Sequence, residues 1–342
     1  MAANVNRRIV LAARPQGRPT TENFRLEEAP VPEPGPGQML SRTIYLSLDP
    51  YMRGRMSDAP SYTKPVQVGE VMVGGTVGQV VRSNLDGFAP GDLVVGSGGW
   101  QEYATFGAGE ARKLDPNVAP ISTALGVLGM PGQTAYVGLR EIGRPTAGET
   151  LVVAAASGPV GSMVGQIARI RGCRVVGIAG SKTKCDYVSG ELGFDACLDH
   201  HAPDFEDALR AACPDGVDVY WENVGGRVFE SVLPLLNDFA RVPVCGLVAW
   251  YNATELPAGP DRTPLLLRRT LVRRLTIRGF IVFDFDPGDF VNEVGAWIQD
   301  GRIRYREDIR EGLENAPAAF IGLLKGENFG KLLVRVAPDP TR

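Results

Sequence analysis

The chain has 342 residues, of which 44% are apolar and 22% charged, with a formal net charge of −3. That balance suits a globular protein with two modest cores, and it argues against a general attraction to nucleic acid or an anionic membrane. No apolar run reaches the ~18 residues of a membrane helix, and the start lacks the apolar core of a signal peptide, so a soluble cytoplasmic protein is expected.

Residues 1–127 read as short strands broken by glycine and proline. Segments 44–48, 72–81 and 93–95 carry β-branched or long apolar residues, separated by turn signals such as Pro34-Gly35-Pro36-Gly37 and Pro90-Gly91-Asp92. The pattern predicts a small, mostly antiparallel β domain. From residue 128 it changes. An apolar run over 149–155 leads into Ser157-Gly158-Pro159-Val160-Gly161, a helix over 162–171 and a strand over 174–178. Strand, glycine-rich turn, helix and strand in ~30 residues is a nucleotide-binding βαβ unit.

The alternation continues with helices over 182–192 and 205–212 and strands over 196–198, 217–221, 240–246 and 275–280. It predicts an α/β fold, a doubly wound parallel sheet covered on both faces. After a helix over 290–300, a further helix through 325 and a strand over 331–336 are expected to return to the first domain. The expected division is therefore 1–127 with 311–342, and 128–310.

Several residues carry chemistry. Gly158 lets the backbone approach a pyrophosphate, Gly161 allows close helix–strand packing, and the helix N-terminus offers N–H groups and positive dipole. Alanine stands where the first glycine of the motif is usual, and a ligand-free tight turn is the plain alternative. The end of the second strand reads Gly180-Ser181-Lys182-Thr183-Lys184, with no acid to hold ribose hydroxyls. Ser181 and Lys184 suit a 2′-phosphate, so NADPH is favoured over NADH; a solvated helix start is the alternative, although cations are unfavourable there. Asn223-Val224-Gly225-Gly226, Cys245-Gly246-Leu247 and Trp250-Tyr251-Asn252 follow later strands, where ligands of such sheets bind. Turn formation by Asn223 and Gly246, and packing by Tyr251, are equally compatible with the sequence.

The five cysteines are odd in number and never close in sequence, which fits a reducing compartment. The two histidines, His200 and His201, stand far from any Cys–Glu cluster, so no catalytic zinc set is expected. The Arg268–Arg274 run reads as a solvated helix face or subunit edge rather than a nucleic-acid site.

Longer stretches resemble the medium-chain dehydrogenase/reductase superfamily, specifically its zinc-free branch of prostaglandin reductases, plant double-bond reductases and curcumin-reductase-like enzymes. They are Tyr45-Leu46-Ser47-Leu48-Asp49-Pro50-Tyr51-Met52-Arg53, Leu128-Gly129-Met130-Pro131-Gly132-Gln133-Thr134-Ala135-Tyr136, residues 155–165, Glu222-Asn223-Val224-Gly225-Gly226, Arg278-Gly279-Phe280-Ile281-Val282 and Gly326-Glu327-Asn328-Phe329-Gly330-Lys331. The resemblance implies a Rossmann-type NADPH domain, a smaller GroES-like domain and dimerisation through the former. It implies a cofactor site of Thr134, Gly158, Pro159, Val160, Gly161, Gly180, Ser181, Lys184, His200, Asn223, Cys245, Gly246, Tyr251, Phe280, Ile281, Val282 and Asn328. Asn328 would reach the cofactor across a cleft, and Tyr51 and Tyr251 would line the substrate pocket. His200 stands where the family often has tyrosine, and Glu70 where zinc-dependent branches have histidine.

The expected reaction is hydride transfer to the β-carbon of a small enone or enal. A phenol, with a free pKa of about 10, keeps its proton at neutral pH. Tyr251, helped by a ribose hydroxyl, is the first candidate to stabilise the enolate, and Tyr51 the second. A quinone reductase, an alcohol dehydrogenase acting on a lipid mediator and a non-catalytic NADPH-binding sensor are the rival readings.

Overall fold

In a computed structural model, which describes residues 5–342, the chain gathers into two units. One comprises the described residues through Gly126 together with Glu307–Arg342; the other is Val127–Arg306.

The first unit opens with an antiparallel ribbon of β1 (Val5–Leu11) and β2 (Phe24–Pro30). Next come β3 (Met39–Ser47), the short helix α1 (Met52–Arg55), β4 (Thr76–Ser83), β5 (Leu93–Gly96), β6 (Tyr103–Phe106) and β7 (Ala111–Lys113). Strand β3, buried except at Arg42, pairs antiparallel with β4 and β6; β4 pairs antiparallel with β5, and β5 with β7. The strand expected over 72–81 starts only at Thr76. Before it, Met72, Gly74 and Gly75 make single backbone bonds to Ile9, Trp100, Gly99 and Ser47 instead of joining a ladder.

The second unit contains α2 (Met130–Gly138), β8 (Thr150–Ala154), α3 (Pro159–Ile170), β9 (Arg174–Ala179), α4 (Lys182–Gly190), β10 (Ala196–Asp199) and α5 (Phe205–Ala212). It continues through β11 (Val217–Trp221), α6 (Gly226–Val232), β12 (Leu236–Val244), α7 (Thr263–Arg273), β13 (Thr276–Gly279) and α8 (Phe290–Gln299). The six strands are parallel in the order β10-β9-β8-β11-β12-β13, the Rossmann-type doubly wound arrangement, with its switch point between β8 and β11. Every residue of β8 is buried, as a strand covered on both faces requires. Helix α3 buries Met163, Val164, Ile167 and Ala168 at helical spacing and leaves Arg169 exposed. Strand β12 begins at Leu236, ahead of the expected 240, and ends at Val244.

The chain then adds β14 (Glu307–Glu311), α9 (Ala316–Leu323) and β15 (Lys331–Arg335) to the first unit. Strand β15 pairs antiparallel with β3 and parallel with β14. The aromatic centre of this unit is Trp100, stacked on Phe24 at 5.5 Å and meeting Phe320 edge-on at 5.7 Å.

Among the described residues, no helix is long and apolar enough to cross a membrane. All five cysteines are free thiols.

Candidate cofactor and active site

In the second unit, the carboxyl end of β8 turns sharply into α3. Ala155 adopts φ +54°, the left-handed conformation that starts the turn, one residue before the alanine of the glycine motif. A side chain at Gly161 would overlap the Ala155 carbonyl, so only glycine lets the helix sit this close to the strand end. Pro159 occupies the first turn of α3, and the first helical bond runs from Ser162 N–H to the Gly158 carbonyl at 2.9 Å. The N–H groups of Val160 and Gly161 precede that bond at the half-buried start of a twelve-residue helix, an arrangement suited to a diphosphate.

The end of β9 forms a second cluster. Ser181 caps α4 by accepting the Lys184 N–H at 3.3 Å, and its own hydroxyl proton stays available to donate. Lys182 pairs with Asp186 at 2.7 Å, four residues along the exposed face of α4. His200 bonds its N–H to the Ala179 carbonyl and sets Nε2 3.4 Å from the position a Gly180 side chain would take. Its ring lies 4.0 Å from that of His201. Burial, then His201, holds the His200 imidazole below its usual pKa, so near pH 7 it offers a neutral hydrogen-bonding group rather than a charge.

Across the switch point, Asn223 acts as a brace. Its Nδ2 donates to the Ala154 carbonyl at 2.8 Å, and its Oδ1 accepts the Trp221 indole N–H at 3.1 Å. The loops after β11 and β12 are sewn together. Cys245 and Gly246 donate N–H bonds to the Glu222 carbonyl, Val248 to that of Asn223 and Ala249 to that of Val224. Trp250 lies over Gly225, its Nε1 2.9 Å from where a side chain would start. The Tyr251 hydroxyl folds back to 3.0 Å from the same point on Gly246. A phenolic group therefore sits at the carboxyl end of β12, where a site of this fold belongs. Desolvation pushes the Cys245 thiol up to about 12, which keeps it protonated at neutral pH.

Glu222 was not singled out as a site residue by sequence reasoning. It is buried, and its Oε1 accepts the Val224 and Gly225 N–H groups at 2.6 and 2.8 Å, while its Oε2 accepts the Tyr220 hydroxyl at 3.1 Å. Burial raises its pKa and these bonds oppose the rise. It shapes the Asn223 loop from beneath, and the available signal was an acid directly before an Asn-x-Gly-Gly turn.

Other expected site residues make contacts within their own units. Thr134 donates its hydroxyl to the Met130 carbonyl within its own helix. The Phe280 ring meets Trp221 edge-on at 5.7 Å and presses on Gly138, Val282 is buried, and the Ile281 and Val282 carbonyls accept the Asp284 and Phe285 N–H groups in the turn after β13. In the first unit, Tyr51 caps α1 and packs against the apolar core, its phenol raised by burial and by Asp49. Asn328 donates to the Gly330 carbonyl at 2.8 Å.

Residues 7–114 match the family described as the N-terminal domain of oxidoreductase, and residues 159–300 match the zinc-binding dehydrogenase family. Over 338 residues the chain is 60% identical to the NADPH-dependent curcumin reductase of Escherichia coli K12, with 98% of each protein covered. It is 40% identical over 328 residues to prostaglandin reductase 1 of Rattus norvegicus, covering 94% of this chain and 96% of that one. The chain belongs to the medium-chain dehydrogenase/reductase superfamily.

Within that superfamily it falls in the zinc-independent double-bond reductase branch. The crystal structure of CurA in complex with NADPH from Vibrio vulnificus superposes with a TM-score of 0.94 at 54% identity, covering 97% of this chain and 100% of that one. Among the described residues, no three His, Cys, Asp or Glu side chains gather to hold a metal ion. Glu70 instead closes a turn by accepting the Gln67 N–H at 2.8 Å.

Proposed function

We propose that this reductase saturates the carbon–carbon double bond of α,β-unsaturated ketones and aldehydes with NADPH. The observation that carries the reading is the 60% identity, over nearly the whole of both proteins, to a reductase whose named substrate is such a ketone. The second unit would be the NADPH domain and the first the GroES-like domain.

NADPH, when bound, supplies the hydride. The Val160 and Gly161 N–H groups and the α3 dipole would hold its diphosphate, with Lys184, Ser181 and His200 at the 2′-phosphate. Gly180, Asn223, Cys245, Gly246, the 280–282 backbone, Thr134 and Asn328 complete the proposed cofactor contacts. As the β-carbon is reduced, negative charge gathers on the substrate carbonyl oxygen, and the Tyr251 hydroxyl would donate to it, with Tyr51 as the second donor. Incubation with NADPH and a panel of enones, enals, quinones and secondary alcohols, with products identified by mass, tests the reading. A saturated ketone or aldehyde, formed much faster with NADPH than with NADH, is the expected result. Quinone turnover without saturated product would favour a quinone reductase, and tight NADPH binding without turnover a sensor.

We further propose a cytoplasmic homodimer built on the outer edge of the Rossmann sheet. The free thiols suit a reducing compartment. Among the described residues, strand β13 pairs only with β12, and all four of its residues are exposed. Beside it, α7 exposes Leu267 at 62% and Leu271 at 78%. An open edge next to apolar side chains is a natural seat for a second copy. The arginine run is partly neutralised within the fold, because Arg273 and Arg274 both pair with Asp238. Ile277→Lys combined with Leu271→Glu is expected to convert the dimer to monomer in sedimentation; a monomeric wild type would overturn the proposal.

A further inference from the structure

Lys331 and Asp49 form a buried ion pair in the first unit, with side chains only 4% and 8% exposed and Nζ 2.6 Å from Oδ1. Nothing in the proposed chemistry uses either. Removing two charges from water is costly, and such a pair is often no more stabilising than apolar replacements of similar volume, so a role in fixing geometry is a reasonable question to ask of it. What it joins is specific. Lys331 opens β15 directly after the Asn328-Phe329-Gly330 segment, and Asp49 stands two residues before Tyr51.

Each end is tied down further. Lys331 Nζ also donates to the Leu48 carbonyl at 3.0 Å. The Asp49 carboxylate accepts the Ser47 hydroxyl, and its carbonyl accepts the Met52 N–H at 3.1 Å, which closes the turn that carries Tyr51 into α1. On the other side, Asn328 donates to the Gly330 carbonyl, while Phe329 N–H bonds to Asp308 Oδ2 at 3.1 Å. Lys331 feels the Glu307 carboxylate as well, a half-buried group bound to the Ser122 hydroxyl.

We infer that Lys331 and Asp49 are positioning residues, a clamp that fixes the Tyr51 turn against the Asn328 segment. The inference rests on the proposed roles of Tyr51 in the substrate pocket and Asn328 at the cofactor. Burial disfavours the Lys331 ammonium, and Asp49 offsets part of that cost across the 2.6 Å contact.

The test is the double variant Lys331→Met with Asp49→Leu, which removes both charges of the pair together and should fold. Asp49→Asn, which keeps the shape and some of the hydrogen bonding, serves as the conservative comparison. In the folded double variant, KM for an enone should rise ~10–100-fold with a smaller change in kcat, because a misplaced group costs orientation. The NADPH Kd, read by nicotinamide fluorescence, should weaken. Tyr51→Phe should cost less in the double variant than in wild type. Asp49→Asn should fall between the two. A double variant with wild-type KM, kcat and Kd would overturn the clamp. If wild type reduces no enone, the activity reading fails instead. The clamp is then judged on the Kd and on hydrogen exchange across 48–55 and 326–331, where unchanged values in the double variant would overturn it.

Discussion

Tyr251→Phe is expected to lower kcat for enone reduction by ~10²–10³, the usual cost of removing one donor aimed at a developing oxyanion. NADPH affinity should stay close to wild type, since the ring and its packing remain. The geometry sharpens the test. The hydroxyl rests 3.0 Å from the point where a side chain on Gly246 would begin, so Gly246→Ala would push it out of place without removing it. The alanine variant should therefore lose part of the rate that phenylalanine loses, and combining the two should add little. Full kcat in Tyr251→Phe, measured with saturating NADPH, would return Tyr251 to a packing role and shift attention to Tyr51.

Lys184→Ala is expected to raise the NADPH Kd by ~10–100-fold, the range for losing a hydrogen bond to a charged group. Binding of NADH, which lacks the 2′-phosphate, should hardly move. Lys184 is the better probe of this cluster for structural reasons. Ser181 also caps α4, so replacing it confuses phosphate binding with ~1 kcal/mol of helix stability. His200 is held below its usual pKa by burial, so near neutral pH it adds little charge to the site. Cofactor titrations read by fluorescence decide the matter, and equal losses for NADPH and NADH would remove Lys184 from the 2′-phosphate.

Periodicity read the sheet of the second unit well, because strands buried on both faces leave short, nearly continuous apolar runs such as 151–154 and 219–221 that little else imitates. It read the first unit less well. Residues 72–75 look like strand but make isolated bonds, and β1, β2 and β14 alternate too weakly with charge to stand out. At the site, the local features were legible: the glycine turn, the cap at Ser181 and the polar residues at strand ends. Features made by distant partners were not. Lys331 and Asp49 are 282 residues apart, and each alone looks like an ordinary surface charge. The brace at Asn223 depends on an Ala154 carbonyl 69 residues away. Glu222 next to a turn reads as solvent-facing until the Tyr220 hydroxyl and two N–H groups are seen to enclose it.

The stitching of the β11 and β12 loops has a consequence for how tightly a ligand can be held. Two independent loops would each lose conformational freedom on closing around a cofactor. Here the bonds from Cys245, Gly246, Val248 and Ala249 to residues 222–224 make them one plate, already ordered during folding. Less entropy is then left to lose at the moment of binding. Cutting one stitch should reveal itself as a faster off-rate for the nucleotide before it shows in the melting temperature.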